Sequence, residues 1–260
     1  PKDWDVTTNA TPEQIQEIFP DSFYENDFGT VGVKNEQTED ETLKVVEVTP
    51  YRTESTYSNN RHPDEVKFSD KLEDDLKRRD FTMNAIAYSI SKSEIIDMYE
   101  GQQAIKDKLI LAVGDPDERF REDALRILRA VRFASQHGFA ISHETMSAIE
   151  GNSKLLANIS AERIRDEFLK ILMSTEAMTG ILLSEKLGIL KYIVPELEVG
   201  IGCEQNGSHI YDVWEHNLRT MQHAVDKDWS IHIRLSGLLH DVGKPATREW
   251  SKEKNDYTFY

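Results

Sequence analysis

The stretch "REDALRILRAVRF", residues 121–133, sets Arg126, Arg129 and Arg132 three apart behind a single carboxylate, Asp123. At about 100° per residue on a helix, these four side chains drift around one half of the surface. Ala124, Ile127, Leu128 and Val131 cover the other half. The guanidinium fork suits bidentate pairing with a phosphate or a base edge, whereas a carboxylate only accepts. An acceptor at Asp123 beside a donor at Arg126 therefore matches a base edge that sets an exocyclic amine next to a ring-nitrogen acceptor. Cytosine and adenine have that edge; uracil and guanine present the reverse. An arginine-rich helix packed on acidic neighbours would show the same spacing, so the pattern alone leaves both uses open.

Three further groups could do chemistry. In "KDWDV", Asp3 and Asp5 lie two apart, which on a strand puts both carboxylates on one face, where they can share divalent cations. Magnesium takes few protein carboxylates and completes its shell with substrate phosphates, although a solvated strand end would read the same way. In "RRDFTMNAIAY", Arg79 at a helix start can reach a phosphate, and Asp80 or Asn84 can organise a hydroxyl; the bland alternative is a cap with a surface ion pair. In "YDVWEHNLRTMQHAV" and "RLSGLLHDVGK", His216, His240 and Asp241 resemble an H…HD site, in which neutral imidazoles and a carboxylate bind one or two cations that activate water. His209, His223 and His232 lack such neighbours and read as incidental.

The elements that must position these groups divide the chain. Up to about residue 90, short strands and helices alternate. "NATPEQIQEIF" has Thr11 as N-cap, Pro12 in the first turn and Gln14 closing a capping box, and "GTVGVK" and "LKVVEVTPYR" read as strands around the acidic turn "NEQTEDET". "STYSNNRHPDEVKF" reads as a mobile polar loop, and "LEDDLKRRDFTMNAIAYSI" returns to helical spacing. After the short strand in "SEIIDMYEG", amphipathic helices dominate: "EDALRILRAVRFASQHG", "SHETMSAIEGN", "SAERIRDEFLKILMS" and "TGILLSEKLGIL". A second boundary falls at "ELEVGIGCEQNGSH", before another helical unit. The expected fold class is α+β, with a small mixed sheet over 1–90, helices over 91–200 and the start of a further helical unit over 205–260.

Composition narrows the partners. No apolar run approaches the roughly 20 residues that span a bilayer, so no membrane role is expected, and the single Cys203 fits a reducing, cytoplasmic setting. A net charge of -16 repels nucleic acid at long range, yet residues 117–170 balance nine basic against nine acidic side chains, so the arginines act locally. A first residue of Pro1 instead of methionine leads to the expectation of a piece of a longer chain.

Together, "KDWDVTTNATPEQI", "RRDFTMNAIAY" and "EDALRILRAVRF", in this order and spacing, resemble the class II tRNA nucleotidyltransferase and poly(A) polymerase family, which includes the bacterial CCA-adding enzymes. The resemblance implies a nucleotidyltransferase head over 1–90, a helical neck over 91–200 with a nucleotide-selecting helix, and an HD-type domain from 205 onward. It implies Asp3 and Asp5 as Mg²⁺ carboxylates with Glu47 as the third, and Arg79, with Asp80 and Asn84 beside it, at the nucleotide. Asp123 with Arg126 would read the base, and Arg129 and Arg132 match nucleotide-contacting positions. CTP, ATP and the 3′ end of tRNA are the implied partners, and a second divalent cation would sit in the HD site. The family's Gly-Gly-x-Val-Arg-Asp turn is expected ahead of Asp3, and the fourth HD ligand after Tyr260. The loop "RTESTYSNNRHPDE" matches the one kept by members that add the terminal A. CCA, CC, A and poly(A) addition share this head.

Overall fold

The computed structural model describes residues 4–25, 29–55, 65–207 and 209–259. The chain folds as two compact units, the first running through Gln102 and the second from Gln103 onward. This division falls about a dozen residues after the end of the alternating strand-and-helix pattern.

In the first unit, β1 (Asp5–Thr8) leads into α1 (Pro12–Ile18) through the expected capping box: Gln14 N–H donates to Thr11 Oγ1 at 3.4 Å, and Thr11 N–H donates to Gln14 Oε1 at 2.9 Å. Strands β2 (Ser22–Tyr24), β3 (Val31–Lys34) and β4 (Val45–Pro50) complete a sheet of order β1-β4-β3-β2. β1 runs parallel to β4 and the other pairs are antiparallel, giving the mixed sheet expected. One face buries Val31 and Val48 against Ile15 of α1, with Ala10 and Val33 alongside. Removing such side chains to alanine typically costs about 2–5 kcal/mol. β5 (Arg52–Ser55) and β6 (Glu65–Phe68) pair antiparallel, and the centre of the loop between them, residues 56–64, lies outside the described residues.

The helical expectation for "LEDDLKRRDFTMNAIAYSI" is corrected. Here α2 covers only Leu72–Lys77, a 3-10 turn spans Thr82–Asn84, and β7 (Ile86–Ser89) pairs with β8 (Glu94–Asp97). Asp80 is the physical reason: its Oδ1 accepts from Phe81 N–H at 2.8 Å and from Asn84 Nδ2 at 3.0 Å, so a side chain takes over from the helical ladder. Gly101 opens α3 (Gly101–Asp107), and a Cβ there would collide with the Thr82 carbonyl oxygen, so only glycine fits against this turn.

The second unit threads β9 (Leu109–Ile110), α4 (Pro116–Glu122), α5 (Leu125–His137), β10 (Ala140–Ile141) and α6 (His143–Asn152), then α7 (Ala161–Leu172), α8 (Ala177–Lys186) and the short α9 (Pro195–Glu198). Helices α5, α7 and α8 pack around Ile127, Leu128, Val131, Ile171 and Ile181, all fully buried. Gly138, at φ 64°, ends α5 where the sequence placed its C-cap. The start of that helix differs from expectation. Asp123 belongs to neither helix: its backbone is extended (φ -136°, ψ 104°), and it breaks "EDALRILRAVRF" into α4 and α5. Helices α10 (Val213–Asp226) and α11 (Ile231–Leu239) pack together. The chain then forms a hairpin of β11 (Arg248–Ser251) and β12 (Asp256–Phe259), a departure from an all-helical second half.

Candidate active site and a histidine cluster

The register of β1 and β4 sets Asp5 directly beside Glu47, and both side chains are exposed on the sheet face opposite Val31 and Val48. Gly32 of β3 continues the row next to Glu47, with the Phe23 ring lying where a Cβ would be. Adjacent carboxylates on a solvent-facing row are hard oxygen donors of the type Mg²⁺ takes. Asp3 lies outside the described residues.

Arg79 sits beside the turn after α2. Its Nη1 donates to the Asn84 carbonyl at 3.0 Å, and its Nη2 lies 3.5 Å from Oδ2 of the fully buried Asp75, which also accepts from Arg78. These contacts fix the guanidinium while leaving it part-exposed. Asp80 is 8% exposed, and its bonds to Phe81 and Asn84 hold the turn. Asp80 thus caps the turn, with Asn84 as its side-chain partner beside Arg79.

In the second unit the arginine ladder comes apart into three different environments. Arg126 Nη1 donates to Glu122 Oε2 at 2.7 Å and to the Arg119 carbonyl at 3.3 Å, and Glu122 is held in turn by Arg119. Arg129 stands over the Phe133 ring, 5.3 Å from its centre. Arg132 is 8% exposed and pairs with Glu167 at 3.2 Å, which ties α5 to α7. Burial against Glu167 sets Arg132 apart from the more exposed Arg126 and Arg129.

Asp123 does not pair with Arg126. Its carboxylate receives both ends of the Arg163 fork, Nη2 to Oδ2 at 2.9 Å and Nη1 to Oδ1 at 3.4 Å, and Oδ1 also accepts from Leu125 N–H at 3.0 Å. Sequence reasoning missed Arg163, Arg119, Glu122 and Glu167. A local signal existed for Glu122, four residues before Arg126 on one helical face. None existed for Arg163, 40 residues from Asp123.

The third group is assembled as the sequence suggested. Ligand atoms of His216, His240 and Asp241 lie within 4.8 Å of one another, and they are the one such trio of His, Cys, Asp or Glu found among the described residues. His240 Nδ1 is 2.9 Å from the Gly237 carbonyl oxygen, which places a proton on Nδ1 and turns Nε2 toward His216 and Asp241. That Nε2 lies 3.1 Å from His216 Nε2 and 3.3 Å from Asp241 Oδ2. Burial, then the nearby His240, lower the His216 pKa against the opposing pull of Asp241, so neutral imidazole is favoured. Lys244 Nζ approaches Asp241 Oδ2 at 2.7 Å.

Comparison with known proteins places these features in a lineage. Residues 1–111 match the model of the poly A polymerase head domain, and residues 138–200 match that of a probable RNA and SrmB-binding site of polymerase A. The chain belongs to the poly(A) polymerase and tRNA nucleotidyltransferase family. Within it, the CCA-adding enzyme of Geobacillus kaustophilus is 46% identical over 192 residues, 74% of this chain and 46% of that protein. The enzyme of the same name from Listeria monocytogenes is 41% identical over 224 residues, 86% of this chain and 54% of that one. The chain thus spans about half the length of the curated relatives it matches. Among solved structures, the Bacillus stearothermophilus CCA-adding enzyme in complex with CTP superposes with a TM-score of 0.68 at 31% identity, covering 97% of this chain and 64% of that one. This agrees with the α+β class. No described helix is long and apolar enough to cross a membrane.

Proposed function

We propose that the protein of which this chain forms part is a template-independent nucleotidyltransferase that adds CMP and AMP, from CTP and ATP, to the 3′ end of tRNA and releases pyrophosphate. The observation that carries this is the pair Asp123 and Arg126, an acceptor and a donor three residues apart at the start of α5, each anchored by a different partner. Such a pair accepts from the amine and donates to the ring nitrogen that cytosine and adenine share. The family and a relative solved with CTP support the same reading.

Chemistry at the phosphates falls to the first unit. Asp3, Asp5 and Glu47 would hold Mg²⁺, which supplies charge neutralisation at the triphosphate and favours the ionised form of an attacking hydroxyl. The 3′-hydroxyl attacks the α-phosphorus in line, the bond to the bridging oxygen breaks, and pyrophosphate leaves. Arg79, fixed by Asp75 and Asn84, offers a preset guanidinium for phosphate oxygens. The expected compartment is the cytoplasm.

The deciding experiment supplies the full-length protein with a tRNA lacking its 3′-terminal CCA and with labelled CTP and ATP. Pyrophosphate release with three added residues is the expected result. Products of two residues, of one A, or of a long A tail would reassign the protein within the family, and no incorporation would reject the reading.

A second activity is favoured by one observation, the convergence of His216, His240 and Asp241. We propose that these residues bind a divalent cation that activates water for phosphoester hydrolysis, independently of nucleotide addition. His240→Ala should abolish that hydrolysis, and retention of it would reject the site.

A further inference from the structure

Asp123 and Arg126 are opposite charges three residues apart, and left to themselves they would neutralise each other and offer a base nothing. The structure prevents this by crossing the pairs. Arg126 turns to Glu122, the residue before Asp123, while Asp123 takes the fork of Arg163 from α7. Adjacent carboxylates thus serve different arginines. The extended backbone at Asp123 makes the crossing possible, because it turns two neighbouring side chains in different directions at the break between α4 and α5.

We infer that Arg163 is the positioning residue for base selection: it holds the Asp123 carboxylate away from Arg126 and fixes its plane, so that an Asp123 oxygen remains an obligate acceptor for the exocyclic amine of cytosine or adenine. This rests on the proposed reading of Asp123 as the base acceptor. The fork engages both oxygens, Oδ2 at 2.9 Å and Oδ1 at 3.4 Å, and Leu125 N–H fixes Oδ1 from a second direction. Three directional bonds leave the carboxylate little freedom to rotate. Arg163 itself is 26% exposed and Asp123 19%, so the pair is shielded enough to hold and open enough to meet a ligand. Arg165, two residues on, is spent on its neighbour Asp166 at 2.8 Å, which leaves Arg163 to hold Asp123 from α7.

The test compares kcat/KM for CTP, ATP, UTP and GTP in the full-length protein for Arg163→Ala, Arg163→Lys, Asp123→Asn and the double variant Arg163→Ala with Asp123→Asn. Arg163→Ala should lower the preference for CTP over UTP by about 10-fold or more, as expected for one strong coupling. Arg163→Lys, which keeps the charge but not the fork, should fall between it and the unmodified protein. The double variant should discriminate no worse than Asp123→Asn alone, because Arg163 acts only through Asp123. If Asp123→Asn shifts the ratio but both Arg163 variants leave it within about 2-fold of the parent, the positioning role is overturned and the base-reading stands. If Asp123→Asn leaves the ratio unchanged, the base-reading itself falls, and this inference with it. Thermal unfolding of each variant identifies loss of fold; where Arg163→Ala is unstable, the Lys variant decides, since a purely structural contribution lowers all four rates together and leaves their ratio intact.

Discussion

The arginine-bound carboxylates between α4, α5 and α7 and the histidine cluster between α10 and α11 are built from different donors. At the first, Glu122 and Asp123 each meet a guanidinium, and Arg132 with Lys170 does the same for Glu167. At the second, Asp241 meets Lys244 at 2.7 Å, and the Nε2 atoms of His216 and His240 lie 3.1 Å apart beside the same carboxylate. Both sites pair their carboxylates with cations of the chain, so charge pairing does not separate them. What separates them is the imidazole nitrogens, which are ligands for a divalent cation, whereas guanidinium groups can only donate to an anion or a base edge.

The largest expected effect breaks this comparison at the histidines. Replacing His240 or Asp241 with Ala should remove divalent-cation binding and any phosphoester hydrolysis, by more than the roughly 10- to 100-fold typical of losing an outer-shell partner, while nucleotide addition stays at the parent rate. Calorimetric titration with Mn²⁺ and parallel incorporation of labelled CTP read the two quantities. Equal loss of both in a folded variant would show one shared centre.

Next comes Glu122→Ala. It leaves Arg126 and the 8% exposed Arg119 without their common carboxylate, and removing one partner of a largely buried pair costs about 3–5 kcal/mol when the pair is fully buried, so about 2–3 kcal/mol is expected here. Urea unfolding checks this. No comparable loss should follow His240→Ala, because the cluster gains its stability from the ion. Added Mn²⁺ should accordingly raise the unfolding temperature of the parent and not of His240→Ala, with a gain of about 2.7 kcal/mol at 100 times Kd.

The smallest effect concerns Asp97, a carboxylate that belongs to neither kind of site. Burial pushes its pKa up, but N–H donors of Gln102, Gly101 and Tyr99 and the Gln102 side chain outweigh burial and hold it below the ordinary value. A depressed pKa in the folded state means stability that is present above the unfolded value of about 3.9 and lost as pH falls through the folded one. Asp97→Ala should cost about 1 kcal/mol at pH 7, and the difference from the parent should shrink as pH drops below 4. A gap that persisted to pH 2 would exclude the charged hydrogen bonds as its source.

What could be read in the sequence follows the range of the interactions. The capping box at Thr11 and Gln14, the alternation in β3 and β4, the glycine end of α5 and the His216, His240 and Asp241 trio all declare themselves within a few residues or through a motif. Glu47 as a third carboxylate comes from family resemblance alone, and the parallel register that sets it beside Asp5 is contained in the pattern of neither strand. Failures came where a side chain overrode local preference. Asp80 converted a helical pattern into a turn, and Asp123 cut one long helix in two. Arg132 looked like one more rung of an exposed ladder because its partner Glu167 is 35 residues away. The hairpin β11–β12 escaped because its four-residue strands carry too little periodicity.

The bond from Leu125 N–H to Asp123 Oδ1 has an evolutionary reach beyond its 3.0 Å. It makes one side chain both the holder of an Asx-type turn just before the helix that carries Arg126 and, on the proposed reading, the acceptor offered to a base. Only Ser, Thr, Asn and Asp serve well in the first role, and of these Asp alone cannot donate. On that reading, substitution here has almost nowhere to go: a residue that keeps the turn but can donate would admit the wrong nucleobase, and an acceptor of other length, such as glutamate, would lose the turn. Changes of specificity in such a lineage would have to enter through the surrounding arginines, leaving the carboxylate as the fixed point about which they vary.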